Sequence, residues 1–220
     1  MKLNKEQFHD TSAEEKYEKG MYRLLGINIK KDIEQAIMWL TAATEQGYEQ
    51  ANFVLGKLYY EGKDIEKDHD IALVFLSRAS QAGILEADYY MGLAYYKGNG
   101  INQNYEKAYQ KFKRALPIEK PELYHILASC YETGKGCNQN IMIAVDYYIC
   151  ASHLGYVPSK LKLASMHMKG KDILQDYKKA VTLLKSACKL GNSKERAKAE
   201  KYLDQIPSEF LKLSDKKNYS

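Results

Sequence analysis

The residues best suited to chemistry cluster between positions 125 and 153. Cys130, Cys137 and Cys150 stand there with His125 and His153, thiols and imidazoles of the kind that hold zinc. Their spacing argues against a metal, because no C-x-x-C pair occurs and zinc sites usually draw ligands from such short-range pairs. A second candidate is Ser214-Asp215-Lys216-Lys217, which matches the S-x-x-K pattern of penicillin-recognising enzymes, in which the serine is acylated. It lies in a polar C-terminal stretch, where no pocket is expected to form around it. The other histidines are not paired in sequence with a nucleophile, and each glycine serves a turn or a helix crossing rather than a phosphate loop. The sequence therefore predicts no catalytic residue, no metal ligand and no cofactor.

Composition narrows the class further. The 220 residues are 45% hydrophobic and 28% charged, with a mean hydropathy of −0.53, which excludes a chain too polar to bury a core. No run approaches the roughly 18 apolar residues that span a bilayer, so no membrane partner is expected. The opening Met1-Lys2-Leu3-Asn4-Lys5-Glu6-Gln7 lacks the apolar stretch of a secretory signal, so a cytoplasmic location is expected. Its four cysteines then read as thiols rather than bridges. The net charge of +5 is spread along the chain, and a pI near 8.8 is below that of dedicated nucleic-acid binders. Tyrosine stands out, with 19 against 5 Phe and 1 Trp.

The elements that would position these side chains are set by a period of 36 residues. One column reads Gly26, Gly62, Gly98, Gly134, Gly170; a second reads Ala36, Ala72, Ala108, Ala144, Ala180; a third reads Ala43, Ala79, Ala115, Ala151, Ala187. At a background near 7%, five aligned glycines arise by chance at roughly 10⁻⁶ per register. Each unit reads as two helices. The first carries Gly20, Gly56, Gly92, Ala128 and Ala164, small residues that let the second helix approach closely. It stops at the glycine column, and two residues on come Asn28, Asp64, Gly100, Gly136 and Asp172, types that tolerate positive φ. An apolar anchor follows at Ile29, Ile65, Ile101, Cys137 and Ile173. Asp32, Asp68, Asn104, Asn140 and Asp176 then cap the second helix. That helix buries an apolar stripe such as Ala108-Phe112-Ala115, and Gly47, Gly83, Gly155 and Gly191 end it. No unit can bury its stripe alone, so neighbours must stack. The predicted fold is all-α: a right-handed α/α superhelical solenoid of about five 36-residue helix-turn-helix repeats with a C-terminal capping helix.

Runs such as Ala51-Asn52-Phe53-Val54-Leu55-Gly56-Lys57-Leu58-Tyr59-Tyr60-Glu61-Gly62, followed by Asp68, Ala72, Ala79 and Gly83, resemble Sel-1-like repeats, relatives of the tetratricopeptide repeat with a longer loop between helices. The resemblance covers residues 13–193, in units of about 13–50, 51–86, 87–122, 123–158 and 159–193, after an N-terminal segment 1–12. Residues 194–213 read as a charged capping helix and 214–220 as a tail. Some exported relatives bridge their helices with a cysteine pair in every unit; Cys188 lacks such a partner. Cys137 falls in the anchor column and Cys130 aligns with Leu58 and Ala94, so both read as packing residues. The third unit departs from the pattern at Ala115-Leu116-Pro117-Ile118-Glu119-Lys120-Pro121, which puts Glu119 in the glycine column. A change of curvature is expected there.

The resemblance implies an adaptor whose first helices line a concave groove. Three columns would face that groove, and from them Phe53, Lys57, Tyr60, Tyr89, Leu93, Tyr96, His125 and Glu132 are the candidate partner-binding residues. Tyrosine offers a large ring and a polar tip at low entropy cost. The same rings could equally pack between repeats. The expected function is a monomeric, non-catalytic scaffold for another protein or an extended peptide, of a bacterial signalling, effector or immunity type. One alternative, implied by disulfide-rich relatives, is an enzyme of the β-lactamase or penicillin-binding type. An RNA-reading solenoid fits less well, because it needs a basic groove and this one is aromatic and mixed in charge.

Overall fold

Each Asp or Asn of the capping column does what its chemistry allows. The side chains of Asp32, Asp68, Asn104, Asn140 and Asp176 accept hydrogen bonds from the amides of Gln35, Ile71, Lys107, Ile143 and Lys179, at 2.8–3.1 Å. These bonds satisfy amides that have no partner within the helix. At the opposite boundary Gly26, Gly62, Gly98, Gly134 and Gly170 close the first helices with φ of +60° to +74°, where a Cβ would be strained. In the computed structural model, which describes residues 11–213, every regular element among those residues is helical.

The chain divides into two compact units, Met1–Ile118 and Glu119–Ser220. The first holds α1 (Ala13–Leu25), α2 (Ile33–Glu45), α3 (Glu49–Glu61), α4 (His69–Gln81), α5 (Leu85–Lys97) and α6 (Tyr105–Arg114). The second holds α7 (Pro121–Thr133), α8 (Ile141–His153), α9 (Val157–Lys169), α10 (Tyr177–Leu190), α11 (Ser193–Leu203) and α12 (Ser208–Leu213). Pairs α1/α2, α3/α4, α5/α6, α7/α8 and α9/α10 are the five hairpins, and within each unit successive hairpins pack together.

Small residues set the spacing inside a hairpin. A Cβ on Gly56 would sit 2.7 Å from Leu76 Cγ and 3.0 Å from the Leu76 amide nitrogen, and one on Gly92 would sit 2.6 Å from the Phe112 ring. The alanines and large central residues of the second-helix stripes are buried in every repeat, among them Leu40, Leu76, Phe112, Tyr148 and Leu184. Helix α5 is enclosed on all sides, with Ala87 through Ala94 buried without interruption.

Three details differ from the sequence reading. Asn28, Gly100 and Gly136 have positive φ, whereas Asp64 and Asp172 do not, so the tolerance of that column is used in three of the five repeats. The C-terminal segment expected as one helix is two: a capping box between Asn192 and Glu195 opens α11, and Pro207 separates it from α12 by lacking an amide and restricting the residue before it. Buried Ile206 and half-buried Phe210, whose ring lies 5.1 Å from that of Tyr177, fasten this end to α10. Gly191 ends α10 in an extended conformation rather than a left-handed one.

Glu119 adopts φ +49°, the conformation that Gly47, Gly83 and Gly155 adopt at the equivalent position. A Cβ there costs about 1–2 kcal/mol, and a β-branched side chain tolerates it worst. Glu119→Gly is therefore expected to unfold at higher urea than Glu119→Val, by a margin of about 1–2 kcal/mol. Equal midpoints would show that position 119 carries no strain.

Candidate functional site

The eight residues picked from the columns fall into two groups. In the first unit the structure gathers Phe53, Tyr60 and Tyr89 around Tyr90, with ring centroids at 6.1, 5.4 and 5.4 Å. Tyr89 and Tyr96 continue the array onto Phe112, at 6.4 and 6.1 Å. Tyr60 also meets His69 at 5.1 Å, and its hydroxyl accepts from Asn99 Nδ2 at 3.2 Å. Tyr90 donates to Glu61, and burial is the main cause holding its phenol above the usual range. Tyr60, Tyr89 and Leu93 are buried, Phe53 and Tyr96 half-buried, and Lys57 exposed.

His125 and Glu132 make a separate cluster in the second unit. The His125 ring packs on Tyr148 and Tyr156 at 5.3 and 5.2 Å, and its Nδ1 lies 2.8 Å from Ser159 Oγ. Burial, then the Lys162 charge, lowers its pKa, which favours neutral imidazole. Glu132 accepts from the Tyr148 hydroxyl at 2.9 Å and pairs with Lys162 at 2.5 Å.

Sequence reasoning missed a further column of the first helices, Lys16, Asn52, Asp88, Tyr124 and Lys160. Asp88 is 0% exposed. Its Oδ1 accepts from Ser80 Oγ at 2.6 Å and from Lys111 Nζ at 2.8 Å. Arg114 Nε stands 3.2 Å from Oδ2, near enough for ion pairing without a hydrogen bond's alignment. The signal in the sequence was a polar residue beside buried positions such as Ala51 and Ala87.

The Sel1 repeat family matches residues 17–48, 49–84, 85–115, 121–156 and 157–192. The chain belongs to that family. Its fold is the all-α solenoid of helical hairpins shared by solved Sel1 proteins. A Sel1 repeat protein from Oxalobacter formigenes is 25% identical, with a TM-score of 0.73 over 92% of this chain and 87% of that one. The protective antigen c5321 of uropathogenic Escherichia coli is 22% identical at a TM-score of 0.63; the match covers 99% of this chain but 60% of that one. The immunity protein PA5088 of Pseudomonas aeruginosa is 18% identical at a TM-score of 0.51, over 98% of this chain and 84% of that one. At those last two identities the likeness carries the fold alone. Comparison with curated proteins returns no match.

Within these Sel1 repeats, three serines do meet a base that the sequence did not pair with them: Ser159 with His125, Ser80 with Lys111 and Ser152 with Lys160. All three serines are buried, at 0–2% exposed. Cys130 is buried and its thiol pushed up to about 12, chiefly by desolvation; burial raises Cys137 as well. Both shifts disfavour the thiolate that a metal would need. Among the described residues no three His, Cys, Asp or Glu side chains converge. No helix among them is long and apolar enough to cross a membrane. Ser214 and Lys217 lie outside the described residues.

Proposed function

We propose that this Sel1 repeat chain is a non-catalytic scaffold that holds a partner protein or extended peptide on its first-helix face. The observation that supports this reading is the aromatic array of the first unit. Buried Tyr90, itself flanked by Tyr60 and Tyr89, braces the half-buried ring of Phe53, and buried Phe112 braces that of Tyr96. Lys57 stands free to solvent one turn from Phe53. Rings fixed before binding lose little entropy on it, which is why such residues dominate interface energetics. His125 and Glu132 extend the same set of columns in the second unit.

The test is a pull-down from the native organism followed by titration of the captured protein. Phe53→Ala and Tyr96→Ala are each expected to weaken that complex by about tenfold or more, with melting temperatures near that of the unmodified chain. Tyr89→Ala is expected to lower stability instead, because Tyr89 is buried between Tyr90 and Phe112. Undiminished binding by both Phe53→Ala and Tyr96→Ala would rule this face out.

A further inference from the structure

The junction that is complete at Asp88 recurs two repeats later with its acid missing. Ser80, Asp88, Lys111 and Arg114 correspond there to Ser152, Lys160, Leu183 and Ser186. The serine is kept, the carboxylate has become an ammonium, and both cations have become uncharged. Lys160 is 9% exposed. Its Nζ donates to the Ser152 carbonyl at 2.7 Å and lies 3.5 Å from Ser152 Oγ. No carboxylate pairs with it among the described residues. Burial lowers its pKa, the mark of a cation without compensating charge. Proteins rarely bury a charge without a counter-ion.

These four positions line one open groove of about 1620 Å³. Helix α9 forms its floor with Lys160 and Leu163, and α8 and α10 form its walls. The walls are apolar and exposed: Met142 is 64% and Ile149 38% exposed on α8, and Leu174 is 90% exposed in the loop before α10. The rim is basic. Lys171, Lys178 and Lys179 stand against Asp172 and Asp176, and Asp176 is already engaged as the cap of α10 and 3.7 Å from Lys179.

We propose that this groove binds an acidic, aliphatic-rich segment of a partner protein, with one Asp or Glu side chain reaching Lys160 and apolar neighbours covering Met142, Ile149 and Leu174. The carboxylate supplies the charge that Asp88 supplies internally at the equivalent junction. The chain's own ends do not suit the role. Residues 1–10 carry two acids and two lysines, and 214–220 carry one acid and two lysines. A single recessed ammonium beneath aliphatic walls fits an amino-acid side chain better than a nucleic-acid backbone, which follows rows of surface cations. The site uses none of the residues proposed for the first-helix face.

The test is selection on the full chain from a displayed random library of peptides about twelve residues long, a span suited to groove recognition, with random RNA as a parallel probe. Selected peptides are expected to carry Asp or Glu flanked by aliphatic residues. Affinity, read by fluorescence anisotropy, is expected to fall about tenfold or more with Lys160→Met, with Met142→Glu, or when the peptide acid becomes its amide. Lys160→Met is expected to melt at or above the unmodified chain, since it removes an uncompensated charge. Met142 lies at the surface, so Met142→Glu keeps the test valid should Lys160→Met fold poorly. No selected peptide, peptides without an acid, or binding retained by both variants would overturn the proposal. So would RNA binding that depends on Lys160, or peptides lost only with Phe53→Ala or Tyr96→Ala.

Discussion

Phe112→Ala is expected to lower the stability of the chain by about 3–5 kcal/mol, the range for removing a fully buried aromatic ring. Phe112 is 0% exposed and lies against the backbone of α5, where Gly92 offers no side chain to fill the space left behind. Tyr89 and Tyr96, at 6.4 and 6.1 Å, would lose the ring they rest on. Gly92 is the second residue of the contact. Gly92→Ala alone is expected to destabilise, because its Cβ would fall 2.6 Å from the Phe112 ring. In the Phe112→Ala background the same change should stabilise, by filling part of the cavity and restoring about 0.8–1.0 kcal/mol of helix propensity. The fold tolerates an alanine at this position, since Ala128 and Ala164 occupy it in the last two repeats. Urea titration of the four proteins in the cycle measures the coupling directly. Additive changes would show that the ring and the glycine are not in the contact described.

The repeat was legible because its rules are local. A capping Asp or Asn acts on an amide three residues away, and a glycine closing a helix answers to its own φ. Both therefore appear as columns in the sequence, and the structure returns them at the expected positions. Depth of burial is not local. The columns gave directions for Tyr60, Tyr89 and Leu93, but their burial depends on how tightly α5 is enclosed by its neighbours, which no single column records. The charged helical period over residues 193–205 suggests one continuous helix to 213, but Pro207, which lacks an amide, divides it into α11 and α12. The His125–Ser159 contact joins residues 34 apart, and the Asp88 cluster joins residues 8 and 23 apart. A period of 36 hides such pairs, since the partners sit in different columns. What singles out Lys160 is a missing partner, visible only when its junction is compared with the completed one.

Asp88→Ala is expected to lower stability by about 2–4 kcal/mol, somewhat below the 3–5 that follows when one partner of a buried ion pair is removed. The discount has a structural reason. The side chains of Lys111 and Arg114 are 24% and 54% exposed, so both cations can turn toward water once the carboxylate is gone. Ser80 cannot follow them: it is buried, and its hydroxyl would lose its acceptor at Asp88 Oδ1. Asp88→Asn keeps an acceptor for Ser80 and should cost about half as much, the rest being the lost charge. Lys111→Met leaves Arg114 beside the carboxylate and should fall between Asp88→Asn and Asp88→Ala. In that background Asp88→Ala should cost measurably less than it does alone, because the two residues are 2.8 Å apart and act as a unit. The corresponding positions one repeat later are Tyr124 and Tyr147, whose rings stack at 6.1 Å, so an apolar solution to the same junction exists within the chain. Denaturant midpoints for the singles and the double decide the matter. A midpoint for Asp88→Ala within about 0.5 kcal/mol of the unmodified chain would show that the carboxylate contributes nothing, and would remove the reason for expecting a partner's acid at Lys160.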